Sequence, residues 1–340
     1  MQTAIISAAG PRLPRVIHAI ATYGSFACLC SALFLAFASS AAADYPERPI
    51  KVIVPYQAGG ATDFVARLVA QKVSERLKQP VIVENRPGAG GTIGEVIVAR
   101  SAPDGYTVLV DATGVVLNPN LYRKSAYDPN DLQPVAQLMT SPFVIVTNPG
   151  IPIRGIGDIA DYARRNASKF NVATAGNSTL LAAQLFRLQA GTDFTFVPYN
   201  GAAPAGLSVA SGETQLMFSD LTSFGQLIKA GKLRAIAVAA DKRISLLPDV
   251  PTTAEAGMPD YVVASWFGAF VPAGTSTEIV STLNAAINHA VASPDVVQRL
   301  ATMGAEPVGL SVDAFSRLYR SEIARWKDVV LRAKIPLIDN

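Results

Sequence analysis

The chain has 340 residues, 50% of them hydrophobic and 16% charged, with a formal net charge of +3. That length and apolar content are enough for two buried cores. So small a charge leaves no electrostatic footprint for nucleic acid or for an anionic membrane surface.

Arg12 and Arg15 make a positive n-region, Ile17 to Phe37 is largely apolar, and Ala41-Ala42-Ala43 supplies the small residues read by signal peptidase. The pattern predicts a cleaved signal peptide over 1–43 and a mature start at Asp44. A membrane span is the competing reading, because the apolar run approaches spanning length. Small Ala and Ser residues crowd its end and no basic stop-transfer group follows, which favours cleavage. Cys28 and Cys30 lie inside the run rather than just after it, against a lipoprotein anchor. Removing 43 of the 340 residues leaves 297, with a net charge of +1, His289 as the only histidine and no cysteine for a disulfide.

Strand and helix then alternate. Ile50 to Val54 reads as a buried strand. From Thr62, a natural N-cap with Asp63 in the first turn, the apolar positions Phe64, Val65, Leu68, Val69, Val73 and Leu77 follow helical spacing. A strand at Val81–Val83, a helix at Gly94–Ser101, a turn at Pro103-Asp104-Gly105 and a strand at Tyr106–Val110 follow. Residues 117–134, rich in Asn, Pro, Asp and Tyr, read as a long surface connection, and 135–148 as a long apolar stretch closed by Pro149-Gly150. After a helix around Ile156–Arg165, strands at Asn171–Ala175, Thr195–Pro198, Gln215–Phe218 and Leu233–Ala239 enclose helices around Leu180–Ala190, Pro204–Ser211 and Ser223–Ala230. A last strand, Ser265–Val271, leads to helices at Ile279–Ala292, Pro294–Met303 and Val312–Ala333.

This alternation predicts an α/β fold of parallel sheets with helices on both faces. Two alternating blocks predict two domains, with the apolar stretches at 135–148 and 262–271 crossing between them. The first domain is then discontinuous, 44–140 plus 268–340, and the second is 141–267. Two sequential domains, with the C-terminal helices packed on the second, are the alternative.

Two glycine-rich turns, Pro55 to Asp63 and Asn85 to Thr92, each join a strand to a helix. A helix start presents free backbone N–H groups and a partial positive charge, so the pair can seat a small anion without a charged side chain. In the second turn the third glycine comes one residue late for a dinucleotide fingerprint, and Asp111 is too close to be its ribose acid. No cofactor is expected. Arg86 either lends the seat a positive charge or serves as a solvated surface or hinge residue.

Catalytic chemistry finds little support. His289 reads as a helix-surface residue; no G-x-S-x-G elbow, metal-ligand spacing or Walker pattern occurs. Only an acid-only mechanism using paired carboxylates stays open.

Together, Pro46-Glu47-Arg48-Pro49-Ile50, the two glycine turns, Ala102-Pro103-Asp104-Gly105-Tyr106, Val197 to Pro204, Gly231-Lys232-Leu233-Arg234-Ala235, Leu247 to Thr252 and Gly304 to Val308 occur in one order. The set resembles the Bug family, the extracytoplasmic solute receptors of tripartite tricarboxylate transporters, over essentially all of the mature chain. Gln57-Ala58 replaces a more usual Pro-rich segment, Asn200 stands where Lys is common, and Ser219-Asp220 replaces Asp-Asn. The resemblance implies a periplasmic-binding-protein (Venus-flytrap) fold, two α/β domains joined by two crossover strands. It further implies a periplasmic monomer that binds a small carboxylate in its cleft and delivers it to membrane subunits. A membrane sensor kinase would read the same closed surface.

On that basis the first turn supplies Tyr56, Gly59, Gly60, Ala61 and Thr62, and the third strand ends at Thr113. The second block supplies Asn177, Ser178 and Thr179 at one helix start, Tyr199, Gly201 and Ala202 at the next, and Asp220 at a strand end. Asp63 and Asp111 are read as structural, because either would repel an anion. Trp266, Phe267 and Trp326 are read as packing.

Overall fold

The computed structural model describes residues 45–166 and 169–339; the segment expected to be cleaved lies outside them. The first block is β1 (Ile50–Val54), α1 (Ala61–Leu77), β2 (Val81–Asn85), α2 (Thr92–Ala99), β3 (Thr107–Ala112) and α3 (Gly114–Leu121). The long strand β4 (Leu132–Thr147) leads to α4 (Ile156–Arg165), β5 (Asn171–Thr174), α5 (Asn177–Ala190) and β6 (Thr195–Pro198). Then come α6 (Ala202–Ser211), β7 (Leu216–Asp220), α7 (Leu221–Lys229) and β8 (Arg234–Val238). The chain returns through β9 (Ala264–Pro272) to α8 (Thr277–Val291), α9 (Pro294–Thr302), β10 (Glu306–Pro307) and α10 (Val312–Arg332).

Ten strands form one sheet in the order β2-β1-β3-β9-β4-β7-β5-β6, with β8 and β10 pairing β4 off this path. Its outer groups, β2-β1-β3 and β7-β5-β6, are parallel, as the alternation predicts. Its middle is antiparallel: β3 pairs β9, β9 pairs β4, and β4 pairs β7 and β8. The sheet is therefore mixed, not purely parallel. Each outer group is completed by a strand reached from the other block, β9 beside β3 and β4 beside β7.

The stretch at 117–134 corrects the sequence reading. It begins within α3, where Leu117, Asn118 and Leu121 are buried, and ends in β4. Polar composition suggested a solvated connection, but α3 packs against α10, and that burial overrides the local preference, even with Pro119 inside the helix. Helix starts also moved: α1 begins at Ala61 with Gly60 as its cap, not Thr62, and α2 begins at Thr92.

The core follows the long strands. Trp266 and Phe270 of β9 are buried with Phe315, Tyr319 and Trp326 of α10 in one cluster, and Phe267 is buried outside it. Trp266 meets Phe315 edge-on with ring centroids 5.8 Å apart. Gly268 allows this contact, since a Cβ there would sit 2.4 Å from the Phe315 ring. Gly268→Val should lower stability by about 1–3 kcal/mol through overpacking. A denaturant midpoint equal to that of the parent chain would show that helix and sheet are not locked here.

Candidate ligand-binding cleft

In open α/β sheets ligands lie beyond the carboxyl ends of the strands, where adjacent strands send their chains to opposite sides. This chain has two such points. Beside each other, β1 leads outward through α1 to β2 while β3 leads inward through α3 to β4. Likewise β5 leads outward through α5 to β6 while β7 leads inward through α7 to β8. The residues expected from the sequence fall at these ends. Tyr56 to Thr62 follow β1, Thr113 follows β3, Asn177 to Thr179 follow β5, and Asp220 closes β7. Tyr199, Gly201 and Ala202 follow β6, the edge strand, with the Tyr199 N–H donating to Thr174 O at 2.8 Å.

A cavity of about 1000 Å³ joins the two blocks, with Gly59, Gly60 and Ala61 on one wall and Leu221 and Thr222 on the other. Phe64, Phe224, Leu246 and Met303 complete much of its surface. Thr113, Asn177, Ser178, Thr179, Tyr199, Gly201 and Ala202 do not line it, and Asp220 reaches it only through its neighbours. The lining from α7 and from Leu246 and Met303 was not foreseen. Nothing in periodicity separates an apolar residue facing a cavity from one facing a core.

The first turn corrects the donor assignment. The Gly59 N–H already donates to Asp63 Oδ2 at 2.9 Å, and the Gly60 N–H to Gln57 O at 3.4 Å. Asp63 is buried and also accepts from Arg67 Nε at 2.9 Å and Asn85 Nδ2 at 3.0 Å. Burial by itself would raise its pKa, but the bonds from Arg67, Gly59 and Asn85 outweigh it and hold the carboxyl below its ordinary value. Arg67 balances the charge, so the turn is locally neutral. What this turn still offers is the uncapped start of α1 at Ala61, since Gly60 has no side chain to cap it. Thr62 is buried in the first turn of α1.

The second glycine turn serves the first. Asn85 donates to Tyr56 O at 3.1 Å as well as to Asp63. Arg86, the alternative source of positive charge, is paired with Glu84 on β2. Tyr56 turns its hydroxyl away from the cavity, between Gly91 and Gly114, and bonds Asp111. Asp111 accepts from the Ala112 N–H at 2.6 Å and lies against Glu95; both acids are fully buried. Asn118 donates to Glu95 Oε1 at 3.0 Å and to Gly90 O at 3.1 Å. Asp111 was expected to be structural; Glu95, an acid within the apolar run of α2, was missed.

Glu95 Oε2 and Asp111 Oδ2 are buried without a donor unless one acid keeps its proton. Burial, then the nearby Asp111, pushes Glu95 up to about 9, and burial pushes Asp111 up to about 6. A proton held on Glu95 supplies the missing bond.

The second block differs. α5 and α6 start behind Gly176 (φ 97°) and Gly201 (φ 110°), with no side-chain cap and no acid in either first turn. Positive φ favours glycine at both caps, which keeps the amides bare. Asn177 and Ser178 are half-buried at the start of α5. Thr179 is committed locally: its hydroxyl accepts from Ala175 N at 2.6 Å and donates to Gly176 O at 3.0 Å. Asp220 accepts from the Thr222 hydroxyl. His289 is exposed on α8. Among the described residues no group of three or more His, Cys, Asp or Glu could hold a metal ion, and no helix is long and apolar enough to cross a membrane.

Two α/β blocks sharing crossover strands, with a cavity between strand-end helix starts, define a periplasmic-binding-protein fold. The tripartite tricarboxylate transporter family receptor profile matches residues 65–335. The chain belongs to that family, the Bug receptors. BugT of Bordetella pertussis is 37% identical over 310 residues, covering 88% of this chain and 94% of BugT. The solved structure of R. palustris Rpa4515 with adipate matches at TM-score 0.74 and 35% identity, covering 87% of this chain and 100% of that one. MatC of Rhodopseudomonas palustris with bound malate matches at TM-score 0.71 and 35% identity, covering 84% and 100%.

The acid pair makes stability depend on pH. Both folded values exceed the ordinary 3.8 and 4.5, so the folded chain holds protons that the unfolded chain has released. The contribution is whole below about pH 4 and is lost as pH rises through about 6 and then about 9. Glu95→Gln puts an amide N–H in place of the carboxyl proton and cannot ionise, so its melting temperature should fall less between pH 6 and pH 9 than that of the parent. An equal fall in both would remove the pair as its cause.

Proposed function

We propose that this chain is a periplasmic receptor, not an enzyme. It closes two lobes, 44–140 plus 268–340 and 141–267, around a small carboxylate and delivers it to the membrane subunits of a tripartite tricarboxylate-type transporter. The observation that carries this reading is the cavity joining the start of α1 to the start of α7; the starts of α5 and α6, outside its lining, follow β5 and β6 next in the sheet and are also uncapped. Bare helix-start amides bind carboxylates in place of water, and a ligand touching both lobes stabilises their approach. The adipate-bound and malate-bound relatives support the same ligand class. Acid catalysis by the Glu95–Asp111 pair is disfavoured because both carboxyls are sealed from solvent.

A ligand at a hundred times its dissociation constant stabilises the folded state by about 2.7 kcal/mol. Carboxylates should therefore raise the melting temperature of the purified protein, and neutral sugars should not. Asn177→Asp isolates the electrostatics. An acid at the start of α5 favours the helix by about 0.3–1 kcal/mol, yet repels an arriving anion. Stability should hold or rise while carboxylate affinity drops at least about tenfold. Unchanged affinity would take the α5 start out of the site.

A further inference from the structure

We propose that the cavity selects carboxylates with an unbroken hydrocarbon body, about four carbons or more, over hydroxylated di- and tricarboxylates. This rests on the receptor reading above and adds the chemical class of its ligand. The walls carry the argument. Phe64, Leu246 and Met303 present apolar side chains to the space, with the buried Leu221 and Phe224 packed in the wall behind. Phe64 is 37% exposed and Leu246 55% exposed, so large hydrocarbon surfaces remain open to water at the rim of a concave site. Such a patch marks a place where apolar surface is to be covered.

The polar side chains of the lining are few: Thr222, Gln226, Lys229 and Thr302. Thr222 gives its proton to Asp220, and Thr302 donates to Arg299 O at 2.7 Å. Gln226 and Lys229 remain, together with the bare start of α1 at Ala61. That set satisfies one or two carboxylate groups. Within this lining a hydroxylated tricarboxylate brings more oxygens than there are donors, and the surplus would lose water against hydrocarbon. No carboxylate side chain lines the cavity among the described residues, and Lys229 is its one charged side chain. The charge thus favours an anion while the greater part of the wall favours hydrocarbon.

Isothermal titration calorimetry on the purified protein tests this with acetate through heptanoate, the straight-chain dicarboxylates of matching length, malate and citrate. Affinity should rise about two- to fourfold per methylene that enters the cavity, with citrate at least tenfold below the best hydrocarbon acid. Phe64→Ser and Leu246→Gln alter side chains open enough to spare the fold, which circular dichroism checks. Each should flatten the chain-length dependence, with the longest acids losing the most affinity. Tighter binding of citrate or malate, or an undiminished slope in both variants, would overturn the selectivity and leave the receptor intact. Binding of no carboxylate at all would overturn the receptor reading, and this one with it.

Discussion

The antiparallel ladder between β4 and β9 holds this molecule together. Leu132 to Pro142 of one strand pair with Ala264 to Pro272 of the other, and both are buried along nearly their whole length. Each strand also completes the parallel group of the block it enters, β4 beside β7 and β9 beside β3. The two sets of strand ends therefore take their places from a shared pair of strands, not from a surface contact. Aromatic packing of α10 on β9 braces that pair, and Gly268 leaves room for the Phe315 ring.

Against this frame, the helix starts of the two blocks divide their labour. In the first block the chain places its own acids close to them, without a side-chain cap bond. Asp63 sits in the first turn of α1, Glu95 in that of α2, and Asp111 just ahead of α3. In the second block α5 and α6 start with bare amides behind glycine caps. A helix start attracts whichever anion reaches it first, and an acid on the same chain has the advantage of proximity. The first block is thereby preorganised, with the α1 start left open toward the cavity, while the second has no acid in the first turn of α5 or α6.

The buried acids show how much structure a few polar groups can enforce. Glu95 and Asp111 tie α2, β3, α3 and the β1–α1 turn into one network through Asn118, Ala112 and Tyr56. Desolvation makes full ionisation of both acids unfavourable, so a retained proton is the inexpensive way to satisfy them. Asn85 does the same for the first turn with neutral donors, linking Tyr56 and Asp63 across two motifs that sequence reading treated as separate seats.

By itself the sequence determined the alternation of strands and helices, the two apolar crossovers and the family, because periodicity, turn residues and ordered short motifs are local properties. It also placed Thr113, Asn177 and Asp220 at strand ends. Only the tertiary structure decided that 117–134 begins inside a buried helix, that Gly59 is already bonded to Asp63, and that Tyr56 faces Asp111 instead of the cavity. It likewise decided that Phe64, Leu246 and Met303 share one space. Those facts depend on which partner lies across from a residue, and residues far apart in the chain meet only when the sheet is assembled.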